Sequence, residues 1–69
     1  MNHSHLQWIS DVIMNEIFAP SATKKHQLQE IEEHFKQYSH VAGDEVKMVL
    51  ETLVASGMLQ MLEGWYTGD

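Results

Sequence analysis

Apolar positions along the chain fall into three helical stripes and a short apolar tail. In "SHLQWISDVIMNEIF", Leu6, Ile9, Ile13 and Ile17 recur at spacings of three and four, and Val12 widens the stripe. That period puts them on one face of a helix over about 5–18. Ser4 stands in an N-cap position, with Gln7 three residues on. Trp8, Met14 and Phe18 fall outside the narrow stripe, so they either meet a second helix or form a contact surface. Pro20 disfavours helix at Ala19 and marks a boundary there. In "SATKKHQLQEIEEHFKQYS", Leu28, Ile31, Phe35 and Tyr38 form the second stripe. The predicted helix starts at about 22–24, capped by Ser21 or Thr23, and ends near 37. Its polar face is His26, Glu30, Glu33, His34 and Gln37. In "GDEVKMVLETLVASG", Val46, Val49, Leu50, Leu53 and Val54 follow the i, i+3, i+4, i+7, i+8 pattern. Asp44 stands at the N-cap, Glu45 suits the positive helix start, and Gly57 can end the helix in a left-handed conformation. The last stretch, "GMLQMLEGWYTGD", reads as a hairpin over about 58–67 turning at Glu63-Gly64. The alternative is a frayed apolar tail.

Composition narrows the class. A chain of 69 residues makes one domain, residues 1–69, with a core near the lower limit for independent folding. With 43% hydrophobic residues it is a folded chain rather than a disordered one. It has no cysteine, so no disulfide or thiolate metal site supports the core. Neither a leader pattern nor an apolar run of membrane-spanning length stands out, and the expectation is a cytoplasmic protein without a membrane partner. Charge changes the picture more. Ten acidic residues face four lysines and no arginine, a net charge of −6 with histidine neutral. Protonating all five histidines would bring this to −6 + 5 = −1, so the surface potential should respond to pH between about 5 and 7. DNA binders neutralise phosphates with cations and read guanine with arginine. This balance disfavours nucleic acid.

The stretch "LQEIEEHFKQYSHVAGDEVKMVLETLVASGMLQMLEGWY" resembles a winged helix-turn-helix domain. The resemblance is carried by Leu28, Ile31 and Phe35, then Leu50, Leu53, Gly57 and Leu59, then Gly64, Trp65 and Tyr66. It covers about 24–67, with the helix over about 5–18 leading. It implies a mainly α (α+β) fold: three helices, with the helix-turn-helix over about 22–57, and a short hairpin wing. The turn "QYSHVAG" is longer than a tight helix-turn-helix turn. The resemblance further implies that the outward face of the third helix would read the major groove and the wing would touch phosphate. With Val46 at the centre of the buried stripe, the outward positions are Asp44, Glu45, Met48, Glu51, Thr52 and Ala55, with Lys47 at the flank. Three carboxylates would face phosphate, and nothing there reads a base edge. The wing offers Gln60, Met61, Leu62, Glu63 and Trp65. Leu62 and Trp65 either fold inward to finish the core or face outward. Facing outward, they join Met48, Ala55 and Met61 in an apolar patch rimmed by acids, suited to a protein partner or a homodimer mate.

Other chemistry is sparse. His26, Glu30 and His34 stand four apart on the second helix, but they lack a convergent third ligand and do not match the zincin pattern. Met1-Asn2-His3 offers a square-planar copper or nickel set, outweighed by its place at a terminus. No serine has a catalytic motif around it, no glycine-rich phosphate loop occurs, and Ser39-His40 lacks an orienting acid. The expectation is a protein that is not an enzyme and carries no cofactor or metal. It would be a small acidic regulator, adaptor or inhibitor, of a kind that mobile elements use, which the charge also allows to mimic DNA. Met48, Glu51, Met61, Leu62 and Trp65 are the expected partner contacts. The alternative is a DNA-binding transcriptional regulator, which would need Lys24, Lys25, Lys36 and Lys47 gathered on one face.

Overall fold

The computed structural model describes residues 3–20 and 25–68, except for the side chain of His3. Helix α1 (His3–Val12) continues into a π-helical segment (Ile13–Phe18). Helix α1 begins before Ser4, which lies inside the first turn rather than capping it. At the far end the amide of Ala19 reaches back five residues to the carbonyl of Met14, at 3.0 Å. That wider turn rotates Phe18 inward, and Phe18 is buried together with Ile13 and Ile17.

Strand β1 (Lys25–Gln27) runs directly into helix α2 (Leu28–Phe35). This corrects the expected helix start at 22–24. Gln27 is both the last strand residue and the N-cap, with an extended ψ of 157°, and its amide donates to Glu30 Oε1 at 3.4 Å. Ser21 and Thr23, the expected caps, lie outside the described residues. Helix α3 (Gly43–Ala55) is capped from Ala42, not Asp44. The Ala42 amide donates to Glu45 Oε1 at 3.0 Å, one half of a capping box that an alanine side chain cannot reciprocate. Asp44 and Glu45 instead occupy the first turn, where their charge meets the positive end of the helix. Helix α3 ends in a Schellman motif: Met58 N–H donates to Leu53 O at 3.0 Å, and Gly57 N–H donates to Val54 O at 3.1 Å. Gly57 takes the required φ of +86°.

Strands β2 (Gln60–Leu62) and β3 (Trp65–Thr67) form the expected hairpin. Glu63 (φ 52°) and Gly64 (φ 86°) are both left-handed, as a type I′ turn demands. Beyond the expectation, β3 also pairs with β1, so an antiparallel sheet of order β1-β3-β2 replaces a free two-stranded wing. The register sets His26 and Met61 on either side of Tyr66, and Gln27 and Leu62 on either side of Trp65. Three helices and this sheet give a mainly α, winged-helix-like layout.

One core joins the elements. Ile9 and Ile13 from the first helix, Ile31 from α2 and Leu50 from α3 have no exposed surface. Leu59 and Tyr66 tie the hairpin to that core. Trp8 lies edge-on to Tyr38 at 5.0 Å and to Phe35 at 6.4 Å, so it clamps α1 to the end of α2 while staying partly exposed.

Two substitutions test the turn assignments. A Cβ at Gly57 would meet no neighbour, so Gly57→Ala should cost about 1 kcal/mol through backbone conformation alone. Glu63→Asn, which creates the favoured Asn-Gly turn, should instead raise stability by about 0.5 kcal/mol. Urea unfolding of each variant reads both signs.

Candidate functional site

Exposed chemistry concentrates on α3 and the hairpin. Asp44, Met48, Glu51, Thr52 and Ala55 are exposed along α3, as the helical spacing implies. Glu45 is an exception to the predicted outward set. Its Oε2 lies 3.1 Å from His5 Nε2, so it faces α1 and is only partly exposed.

The five expected contact residues occupy three surfaces. Met48 is 48% exposed and borders a groove between α1 and α3 with Leu6, Ser10 and Thr52. Glu51 and Met61 share a second groove, of about 320 Å³, between α3 and the hairpin. Val54, Ala55 and Tyr66 complete it. Leu62 and Trp65 lie on the other face of the sheet, because neighbours along a strand point to opposite sides. Both therefore face outward. Leu62 is 65% exposed, and Trp65 is half-buried beneath the Lys25 ammonium, 4.9 Å from its ring centroid. Met58, at 54% exposed, is a further apolar surface residue outside the expected set.

Much of the remaining surface charge is already paired. Glu16 Oε1 lies 3.1 Å from His34 Nε2 and accepts from the Tyr38 hydroxyl at 3.0 Å. That hydrogen bond pushes the Tyr38 hydroxyl above its ordinary range. Lys36 Nζ lies 3.0 Å from Glu33. His26 was expected on a polar helix face but is buried in β1, edge-on to Phe18 at 4.8 Å. Its Nδ1 lies 2.8 Å from Glu30 Oε2, and its buried Nε2 has no hydrogen-bond partner among the described residues. The His26 contact holds the Glu30 carboxyl below its ordinary range. The would-be metal stripe is thus split: His26 keeps Glu30 while His34 turns to Glu16. Among the described residues no three histidine, aspartate or glutamate side chains are gathered to hold a metal ion. Met1 and Asn2 and the His3 side chain lie outside the described set. No described helix is long and apolar enough to cross a membrane.

The three described lysines sit on separate elements: Lys25 on β1, Lys36 at the end of α2 and Lys47 on α3. Comparison with protein families, with curated proteins and with solved structures finds no match to this chain. The winged-helix likeness is therefore one of layout, and function has to be argued from the surface.

The Ala42 amide, and then His5, hold the Glu45 carboxyl below its ordinary range. A carboxyl lowered in the folded state adds stability above its unfolded value and loses it as pH falls through the folded one. Glu45→Gln should therefore flatten the acid-side loss of stability below about pH 5, seen in thermal melts across that range.

Proposed function

We propose that this chain is a small acidic regulatory protein that acts by binding another protein, as an adaptor or inhibitor, through α3 and the hairpin. The observation that carries this reading is the make-up of that surface. Where a DNA-reading winged helix needs cations, α3 and the hairpin carry Asp44, Glu51 and Glu63 and, on three separate faces, the exposed apolar groups Met48, Met61 and Leu62. Phosphate would be repelled there, and Lys47 is the one lysine on α3. Exposed apolar side chains rimmed by polar ones instead favour a protein partner. The outward Leu62 and half-buried Trp65 supply an anchor pair, since aromatic residues carry much of the energy at such contacts.

Titration with mixed-sequence duplex DNA at about 50 mM and 200 mM salt tests the reading, with no binding expected at either. Micromolar binding at the lower salt that weakens steeply at the higher would overturn it in favour of a DNA-binding regulator. Leu62→Asp should leave helix content by circular dichroism unchanged, because the side chain is mostly exposed. It should also lower the affinity of a captured protein partner by about tenfold or more.

A further inference from the structure

Among the described residues, three of the surface grooves carry a carboxylate, and their charges differ. The groove beside the α2–α3 turn holds Glu32 but also Lys36. The one on the outer sheet face holds Glu63 but also Lys25. The groove between α3 and the hairpin holds Glu51 and no cation. Lys47 stands one turn before Glu51 on the same helix, yet among the described residues no ion pair engages Glu51. Glu16, Glu30, Glu33 and Glu45 each have a cationic or imidazole partner within the chain. Glu51 is thus a carboxylate set in a groove and left unneutralised.

The rest of the lining is apolar or neutral. Val54, Ala55 and Met61 make the walls, and Tyr66 makes the floor. The Tyr66 hydroxyl is held above its ordinary range, by burial first and by the negative charge of Glu51 second, so the carboxylate is felt at the floor of the groove. At about 320 Å³ the groove lies near the lower end of the 300–1,000 Å³ typical of ligand pockets, room for one long side chain. A groove lined by apolar side chains and a single carboxylate offers a contact for each part of a lysine or arginine: a methylene stem and a charged head. Met61 can adjust its shape to either stem. The net charge of −6 would draw a basic surface toward the chain from a distance.

We infer that the groove between α3 and the hairpin is a receptor for a basic side chain of a protein partner, with Glu51 binding the cationic head and Val54, Ala55 and Met61 packing its stem. This rests on the protein-binding reading and names the chemistry of the partner: a basic surface that inserts one lysine or arginine.

Octa-arginine, octa-lysine and octa-glutamate peptides are the probes, titrated into the full chain and followed by NMR. The two basic peptides should shift the Ala55 and Met61 methyl signals and the Tyr66 ring, and octa-glutamate should not. Glu51→Gln should weaken octa-arginine binding about tenfold, as expected for loss of a charge-assisted contact. Glu33→Gln removes the same unit of charge from a surface pair on α2, and should weaken binding by less than about twofold. Ala55→Leu fills the groove without changing charge, sits at an exposed helix position and should also weaken binding. Equal weakening by Glu51→Gln and Glu33→Gln, full affinity in Ala55→Leu, or basic peptides that leave the three groove signals unmoved would each overturn the assignment. Any of these results in a chain that still ignores duplex DNA removes the groove alone. Binding of duplex DNA removes the wider reading.

Discussion

Ile9, Ile13, Ile31 and Leu50 meet where the three helices converge, with none of their surface left to water. In a chain of 69 residues this contact belongs to the one buried core among the described residues, because a domain of that size buries too little apolar area to maintain two separate cores. The other elements are arranged so that these four positions stay dry. The π-helical turn brings Phe18 inward, Trp8 closes the end near Tyr38, and Leu59 and Tyr66 seal the side where the hairpin returns.

That return makes the sheet more than an appendage. Because β3 pairs with both β1 and β2, the hairpin is fastened to the start of α2 across some forty residues of sequence. His26 sits at the junction, against Phe18 and opposite Tyr66. Its Nδ1 meets Glu30, while its buried Nε2 has no partner among the described residues. A buried nitrogen without a partner costs stability, and among the described residues His26 is the buried polar side chain in an otherwise apolar core.

Charge is distributed with a similar asymmetry. Histidines and a lysine engage glutamates at the helix–helix seams and along α2: His5 with Glu45, His34 with Glu16, and Lys36 with Glu33. The acids left without such partners include Glu51 and Glu63, on α3 and at the hairpin turn. A surface whose charge is already satisfied has little to offer a partner. Asp11 and Glu32 are likewise outside any ion pair among the described residues, but α3 and the hairpin join such an acid, Glu51, to the exposed Met61 in one groove.

The three helices, the glycine that ends α3 and the Glu-Gly hairpin turn were legible from local order alone. A 3.6-residue period, a left-handed position and a tight turn are properties of neighbouring residues. The candidate contact residues were legible as exposed apolar and acidic positions on α3 and the hairpin, but not in their grouping. Strand β1 was not legible. "KHQ" has no strand signature, and it pairs only because β3, far away in sequence, presents an open edge. The same pairing buries His26, which helical spacing put on a polar face, and it decides that Leu62 and Trp65 face outward while Met61 faces α3. Local sequence therefore determined which elements form. Long-range pairing, which depends on what packing leaves uncovered, decided which way their side chains point.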